Sequence, residues 1–404
     1  MFSVEELHRR LHRRYVEFEI EELSLSEALD RLSKLLDRIL DLTFFSYLAN
    51  DDEAALAVLS MDSEIEKLCL NALARTVLSV GRSYSRAIGS LGVVQFINAI
   101  DKAMDYLRDL AFATATGYGV QQDLSRYLPA VTDDIVAVLR INREVSEPIE
   151  KLEDRFPVDV IAIRRTSRVE LVVNKKTRLR KGDTIYVAGF REGVQDLAKE
   201  IGDELKVEEP SSSLRDVIGG ISSSRLLTKL IIDLVFYVAR TRSELGLVAE
   251  IEEMEMYMDQ LCENLLRAIE RIEEPNTRSS LARLVLRLED LVDAFTAVIH
   301  IPMRDPYREV FDELIERGEE RYLRLSVERR AKVLDLARAL DDYGARIVAI
   351  RKPSEWIAVT PFNIYKLDVE PGDAVLILYP TEFDEEVRAR VRSLGLSPQE
   401  VSEE

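Results

Sequence analysis

The feature that most constrains this chain is that it repeats itself. The segment Glu66-Lys67-Leu68-Cys69-Leu70-Asn71 matches Asp259-Gln260-Leu261-Cys262-Glu263-Asn264 at an offset of 193 residues. Ile163-Arg164 matches Ile350-Arg351 at 187, and Gly182-Asp183 matches Gly372-Asp373 at 190. Self-similarity at a nearly constant offset implies that one structural unit is built twice. An architecture that cannot be written as two such copies is therefore excluded.

Each copy opens with helical periodicity. LSEALDRLSKLLDRILDLTFFSYLA places Leu29, Leu32, Leu36, Ile39 and Leu40 on one face, with Ser26 as its N-cap. A second helix is expected from about Asp51 to Val80, ended by Gly81, and a third from near Gly92 to Gly117. Long helices joined by short loops predict an antiparallel bundle. β-Branched runs of strand length follow at 135–141, 158–165, 169–174 and 183–190. Arg180-Lys181-Gly182-Asp183 reads as a tight turn, and 192–202 as a helix ended by Gly202. EEPSSSLRD, at 208–216, has the composition of a linker.

The order then recurs. Helical periods run from Leu214 to about Gly318, and strand runs occupy 322–327, 346–352, 356–360 and 373–379. Glu370-Pro371-Gly372-Asp373 is the turn, and 383–395 the last helix. The expected fold is α+β and multidomain: a bundle over 1–130, a small α/β sandwich over 131–209, a second bundle over 210–318 and a second sandwich over 319–404.

Charge narrows the function. Lys and Arg number 55 against 74 Asp and Glu, a net charge of −19. So acidic a chain lacks the clustered cations of non-specific nucleic-acid binding. Two cysteines make no disulfide framework and point to a reducing, intracellular setting. The N-terminus has no apolar h-region. The longest apolar run, LLTKLIIDLVFYVAR, is broken by Lys229 and Asp233, short of a membrane span. The expectation is a cytoplasmic protein that serves any transporter from outside the bilayer, peripheral to the inner face of the membrane.

The chemistry lies in paired carboxylates. Asp62 with Glu66 and Asp101 with Asp105 stand at i, i+4 in the first copy; Glu255 with Asp259 and Glu289 with Asp293 do so in the second. That spacing puts both acids of a pair on one helix face, where like charges repel. Neighbours such as Ile65, Leu68, Met258 and Leu288 are apolar. Acids beside a buried seam need a cation or hydrogen bonds in compensation. Two facing helices would gather four carboxylates, a set for a hard cation. A salt-bridged or solvated face, neutralised by arginines, is the alternative. The three histidines, His8, His12 and His300, are not placed for a di-iron centre. His8 and His12 have ligand spacing, but four neighbouring arginines disfavour a metal; their segment is the one basic patch, suited to a membrane or an acidic partner. Cys69 and Cys262 share a repeat position on a leucine-rich face and read as buried thiols, with a metal or redox role as the alternative.

These patterns resemble two known families. The bundles resemble the PhoU-like helical domain, whose repeated E(D)-x-x-x-D motif corresponds to the four pairs above, with the acidic types reversed at Asp62/Glu66. The small units resemble the TrkA C-terminal (RCK-C) domain through VIAIRR followed by KGDTIYVAG, and RIVAIRK followed by PGDAVLIL. The small-residue segment usual before VIAIRR is replaced by SEPIEKLEDRF and RRAKVLDLARALDDYG. The resemblance implies regulation rather than catalysis: a soluble sensor of cation, above all potassium, transport. In that reading Arg164, Arg165 and Arg351 bind a cyclic dinucleotide or other small anionic ligand, with surface arginines that make ion pairs as the alternative, and the bundles hold a divalent or trivalent metal. A PhoU-type metal-binding regulator of phosphate transport or signalling is the alternative. The expected partner is a membrane transporter or channel subunit, and a metal-dependent hydrolase is disfavoured. No G-x-G-x-x-G follows a strand, so NAD binding is not expected. The tethered copies are expected to form a pseudo-twofold pair, sandwich facing sandwich, with a homodimer as a further level of assembly.

Overall fold

A computed structural model describes residues 23–80, 83–145, 147–166, 168–171, 174–241, 245–304, 307–314 and 320–399. The first three long helices are α1 (Leu25–Ala49), α2 (Asp52–Val80) and α3 (Tyr84–Thr116). Ser24, not Ser26, caps α1: its hydroxyl accepts from the Glu27 backbone N–H, and Glu27 reaches back to the Ser24 N–H. The acid at the third helical position makes the reciprocal pair, which Ser26 would lack. Helix α3 begins eight residues before Gly92, behind the N-cap Ser83. Gly92 lies inside it because a Cβ there would meet Ile301 and Tyr307 at 2.7 and 2.8 Å. The glycine serves a close approach, not a helix start. Gly117, at φ 78°, ends α3 as expected.

The first sheet contains β1 (Asp134–Arg140), β2 (Val158–Arg165), β3 (Arg168–Leu171) and β4 (Thr184–Phe190). It is antiparallel, in the order β1-β4-β2-β3. The segment before β2 forms helix α4 (Ile149–Arg155), and α5 (Arg191–Ile201) follows β4. The linker-like stretch turns helical at Ser212, where α6 (Ser212–Arg240) begins; α7 (Leu245–Ile269) and α8 (Pro275–Thr296) complete the second bundle. Its serines favour an N-terminal cap position as much as a loop.

The second sheet contains β5 (Glu320–Val327), β6 (Arg346–Lys352), β7 (Glu355–Ala358), β8 (Ala374–Pro380) and β9 (Leu396–Gln399). Its order, β9-β5-β8-β6-β7, carries the first sheet's pattern with one added edge strand. Helices α9 (Val333–Leu340) and α10 (Asp384–Ser393) cover one face.

One apolar cluster runs through both bundles and the first sheet, and takes in Trp356, Ala358, Leu376 and Leu378 from the second sheet. A separate cluster joins the other face of that sheet to α9 and α10. Both faces of the second sheet are thus covered. The two small domains touch through the loop that follows β7. Lys366 reaches Asp133 at 3.0 Å and Glu192 at 3.1 Å, while Tyr365 stands 6.3 Å from the Phe190 ring.

The two Gly-Asp turns are built alike. Gly182 and Gly372 have φ of 95° and 101°, a region a side chain resists. Asp183 accepts from the Arg180 N–H at 2.8 Å, and Asp373 from the Glu370 N–H at 2.9 Å. A cation at the end of β2 or β6 then closes each: Arg165 on Asp183 at 3.2 Å and Lys352 on Asp373 at 3.3 Å.

Candidate functional site

The i, i+4 acids come together in each bundle, but in two different ways. In the first, Arg108 on α3 reaches Asp62 of α2 at 3.1 Å and also pairs with Asp105. Burial works against the Arg108 charge, yet Asp62 and Asp105 hold its pKa above the ordinary arginine value. Asp101 is pushed up by burial and by Asp105 and Asp62. Glu66 joins this group through its field on Cys69. The first acidic face therefore carries a cation of its own.

The second face does not. Glu255 and Asp259 on α7 and Glu289 and Asp293 on α8 all have raised pKa values. Burial is the largest cause in each case. Neighbouring acids add to it: Glu255 and Glu289 each feel Asp259 and Asp293, Asp293 feels Asp259, and Asp259 feels Glu263. Thr296 donates to Glu255 at 2.9 Å. Among the described residues no lysine or arginine forms an ion pair with any of the four; Lys102 of α3 lowers Asp293 only through its field. An all-oxygen, multiply charged set suits a hard cation. Among the described residues no three such side chains already surround one point, so a bound ion would have to draw the quartet inward.

Cys69 and Cys262 lie buried beside the two acidic groups, free of any disulfide. Burial and the neighbouring acids push both thiols up to about 12. A thiol so disfavoured as thiolate is neither a ready nucleophile nor a ready ligand. His8 and His12 lie outside the described residues. His300 contacts Glu252 at 2.7 Å.

The three arginines expected to bind an anion are engaged elsewhere. Arg164 lies 3.5 Å from Asp51 and over the Tyr186 ring, whose hydroxyl donates to the same Asp51 at 2.7 Å. Arg165 closes the Gly182-Asp183 turn and donates to the Arg178 carbonyl at 2.9 Å. Arg351 pairs with Glu253 of α7. Arg164 ties the first sheet to the residue before α2, Arg351 ties the second sheet to α7, and Arg165 ties strand to turn.

Sequence reasoning missed a buried ionic seam between the halves. Arg225 of α6 is 1% exposed. It pairs with Asp41 of α1 and reaches Asp134 of β1 at 2.6 Å, with its guanidinium over the Phe44 ring. One turn on, Lys229 reaches Asp41 at 2.6 Å and Asp37 at 2.9 Å. Thr360, from the second small domain, donates to Asp134 at 3.2 Å. Burial would raise Asp41, but Lys229 and Arg225 outweigh it and hold its pKa below the usual carboxylate value. For Asp37 burial wins and the pKa rises. The signal was present in Lys229, which interrupts an otherwise apolar helix and so needs a partner inside the protein.

No family model matches this chain, and no curated protein does. One solved structure that superposes on it is the phosphate transport system regulatory protein PhoU from Streptococcus pneumoniae, with a TM-score of 0.37 and 11% identity, over 73% of this chain and 94% of that one. So loose a superposition says nothing about function. Among the described residues no helix is long and apolar enough to cross a membrane.

Proposed function

We propose that this protein is a non-catalytic, cation-binding regulator of membrane transport, of the phosphate-regulator kind rather than a ligand sensor of potassium uptake. The observation that carries this reading is the contrast between carboxylates and arginines. The Glu255/Asp259/Glu289/Asp293 quartet has no internal cation, so an external one relieves its repulsion. Arg164, Arg165 and Arg351, on which the potassium-sensor reading depends, already have acidic partners. In the first bundle Arg108 takes the place a metal would hold, so Asp62, Glu66, Asp101 and Asp105 are the weaker site. The recurring strand order and the matched Gly-Asp turns support a unit built twice. In this reading the quartet would hold a divalent or trivalent ion as an electrostatic clasp between α7 and α8.

The test is elemental analysis of protein purified without chelator, followed by calorimetric titration with Mn²⁺ and Mg²⁺. Wild type should take up ion; a Glu289→Gln/Asp293→Asn double variant should not. Capture from native membranes then separates the two kinds of transport: recovery of a potassium channel subunit, and no phosphate transporter, would overturn the assignment.

A further inference from the structure

A cleft of about 650 Å³ lies between α6 and the second small domain, in the size range of small-molecule sites. Its floor is apolar, formed by Leu230 and Leu234 of α6, Ile347 and Val348 of β6 and Leu378 of β8. Its walls carry Arg240, Arg338 and Arg346. In a protein of net charge −19, three arginines around one cleft run against the overall composition. Arg240 is held by Asp30 at 3.1 Å. Arg338 and Arg346 form no ion pair among the described residues. The Arg346 guanidinium rests 5.9 Å from the centre of the Tyr237 ring, which holds it at the wall. Two carboxylates, Asp233 and Asp341, also line the cleft.

We propose that this cleft binds a small phosphate-bearing molecule with a flat, largely apolar body, of the nucleoside monophosphate class. Arg338 and Arg346 are the phosphate partners, because a guanidinium fork matches a phosphate and neither is committed elsewhere. The apolar floor takes the base. Asp233 offers hydrogen-bond acceptors to amino and hydroxyl groups of such a ligand. Asp233 lies among protein atoms and near Asp37, which together push its pKa up to about 6, while Lys229, Arg240 and Arg346 work to lower it. An arriving phosphate would compete with Asp233 for Arg346, so the arginine faces the ligand rather than a fixed internal partner. The walls belong to a bundle helix and to a small domain, so occupancy would fasten one to the other. This site is separate from the cation quartet and does not rest on it.

The test is calorimetric titration of the full chain, stripped of metal with EDTA, with adenosine monophosphate, inorganic phosphate and adenosine. Wild type should bind the nucleotide, with inorganic phosphate and adenosine each at least about 10-fold weaker. Arg346→Ala and Arg338→Ala should each weaken nucleotide binding about 10-fold or more. Both side chains are exposed, so unchanged melting temperatures will confirm that the variants fold. No binding at millimolar nucleotide overturns the proposal. So does affinity unchanged in both variants, and so does adenosine binding as tightly as the nucleotide.

Discussion

The two halves of this molecule carry similar numbers of clustered acids and neutralise them by opposite means. In the first half, Arg108 bridges Asp62 and Asp105, and α6 supplies Arg225 and Lys229 to Asp41, Asp134 and Asp37. In the second, Glu255 and Asp259 on α7 and Glu289 and Asp293 on α8 have no lysine or arginine ion-paired to them among the described residues. The difference teaches that a shared carboxylate spacing does not define a shared site. What matters is whether the fold delivers a cation to it. A face with its own guanidinium is a clasp already closed, and a face without one is open to an ion from solution.

The most damaging way to break this contrast is to remove a cation where it is buried. Arg225→Met leaves Asp41 and Asp134 without their shared partner at the seam between the halves. Breaking one side of a buried pair costs about 3–5 kcal/mol. Urea denaturation should show a loss of that order. A loss below about 1 kcal/mol would mean that the seam is open to water and does not hold the halves together.

The open face should answer to metal. An ion that binds the folded state alone stabilises it by about 2.7 kcal/mol at 100 times its dissociation constant. Thermal melts with Mn²⁺ should show this gain in wild type and lose it in Glu289→Gln/Asp293→Asn. The same gain should persist in Asp62→Asn/Asp105→Asn. Loss of the metal effect in the second variant and not the first would reverse the roles assigned to the two faces.

Part of this contrast was legible in the sequence and part was not, for a physical reason. Local chemistry was readable. The β-branched runs, the Gly182 and Gly372 turns and the i, i+4 acids depend on residues a few positions apart. The cap of α1 is local too: the capping box needs an acid three positions on, and Glu27 selects Ser24 over Ser26. Arg108 lies one turn beyond Asp105, near enough to be seen, but its reach to Asp62 depends on how α2 and α3 pack. The seam was invisible as a unit, because Asp41 and Arg225 are 184 positions apart. Only Lys229, a cation within the apolar stretch of α6, hinted at it. The ion pairs of Arg164 and Arg351 could be expected in kind, but not their partners: Asp51, just before α2, and Glu253, on α7, are distant in the chain.

A gentler change converts the closed face into an open one. Arg108→Gln removes the guanidinium while leaving Asp62, Glu66, Asp101 and Asp105 in place. The pairs involved are half-exposed, with side chains 42–52% accessible, so the stability lost is below about 1 kcal/mol. The informative readout is stoichiometry. The variant should bind one more equivalent of Mn²⁺ than wild type in a calorimetric titration. An unchanged count would show that Arg108 is not what keeps a cation out of the first bundle.

The smallest effect is the dependence of stability on pH, and its sign separates the two states of the open face. Without metal, Glu255, Asp259, Glu289 and Asp293 all titrate above their unfolded values. The folded state therefore binds more protons than the unfolded state in a window that begins near pH 4, the ordinary carboxylate range. Within that window stability falls as pH rises, and above it the repulsion is fully present. With saturating Mn²⁺ the sign reverses, because protons compete with the ion for the same oxygens and metal stabilisation grows as they leave. Solvent screening keeps the metal-free effect below about 1 kcal/mol. Asp37 and Asp233 shift in the same direction, so the quartet's share is the difference between wild type and Glu289→Gln/Asp293→Asn. Urea midpoints from pH 4 to 7 should fall more steeply for metal-free wild type than for the variant, and should rise for wild type in Mn²⁺. Parallel curves for the two proteins would mean that the four acids are solvated independently and repel one another too little to recruit an ion.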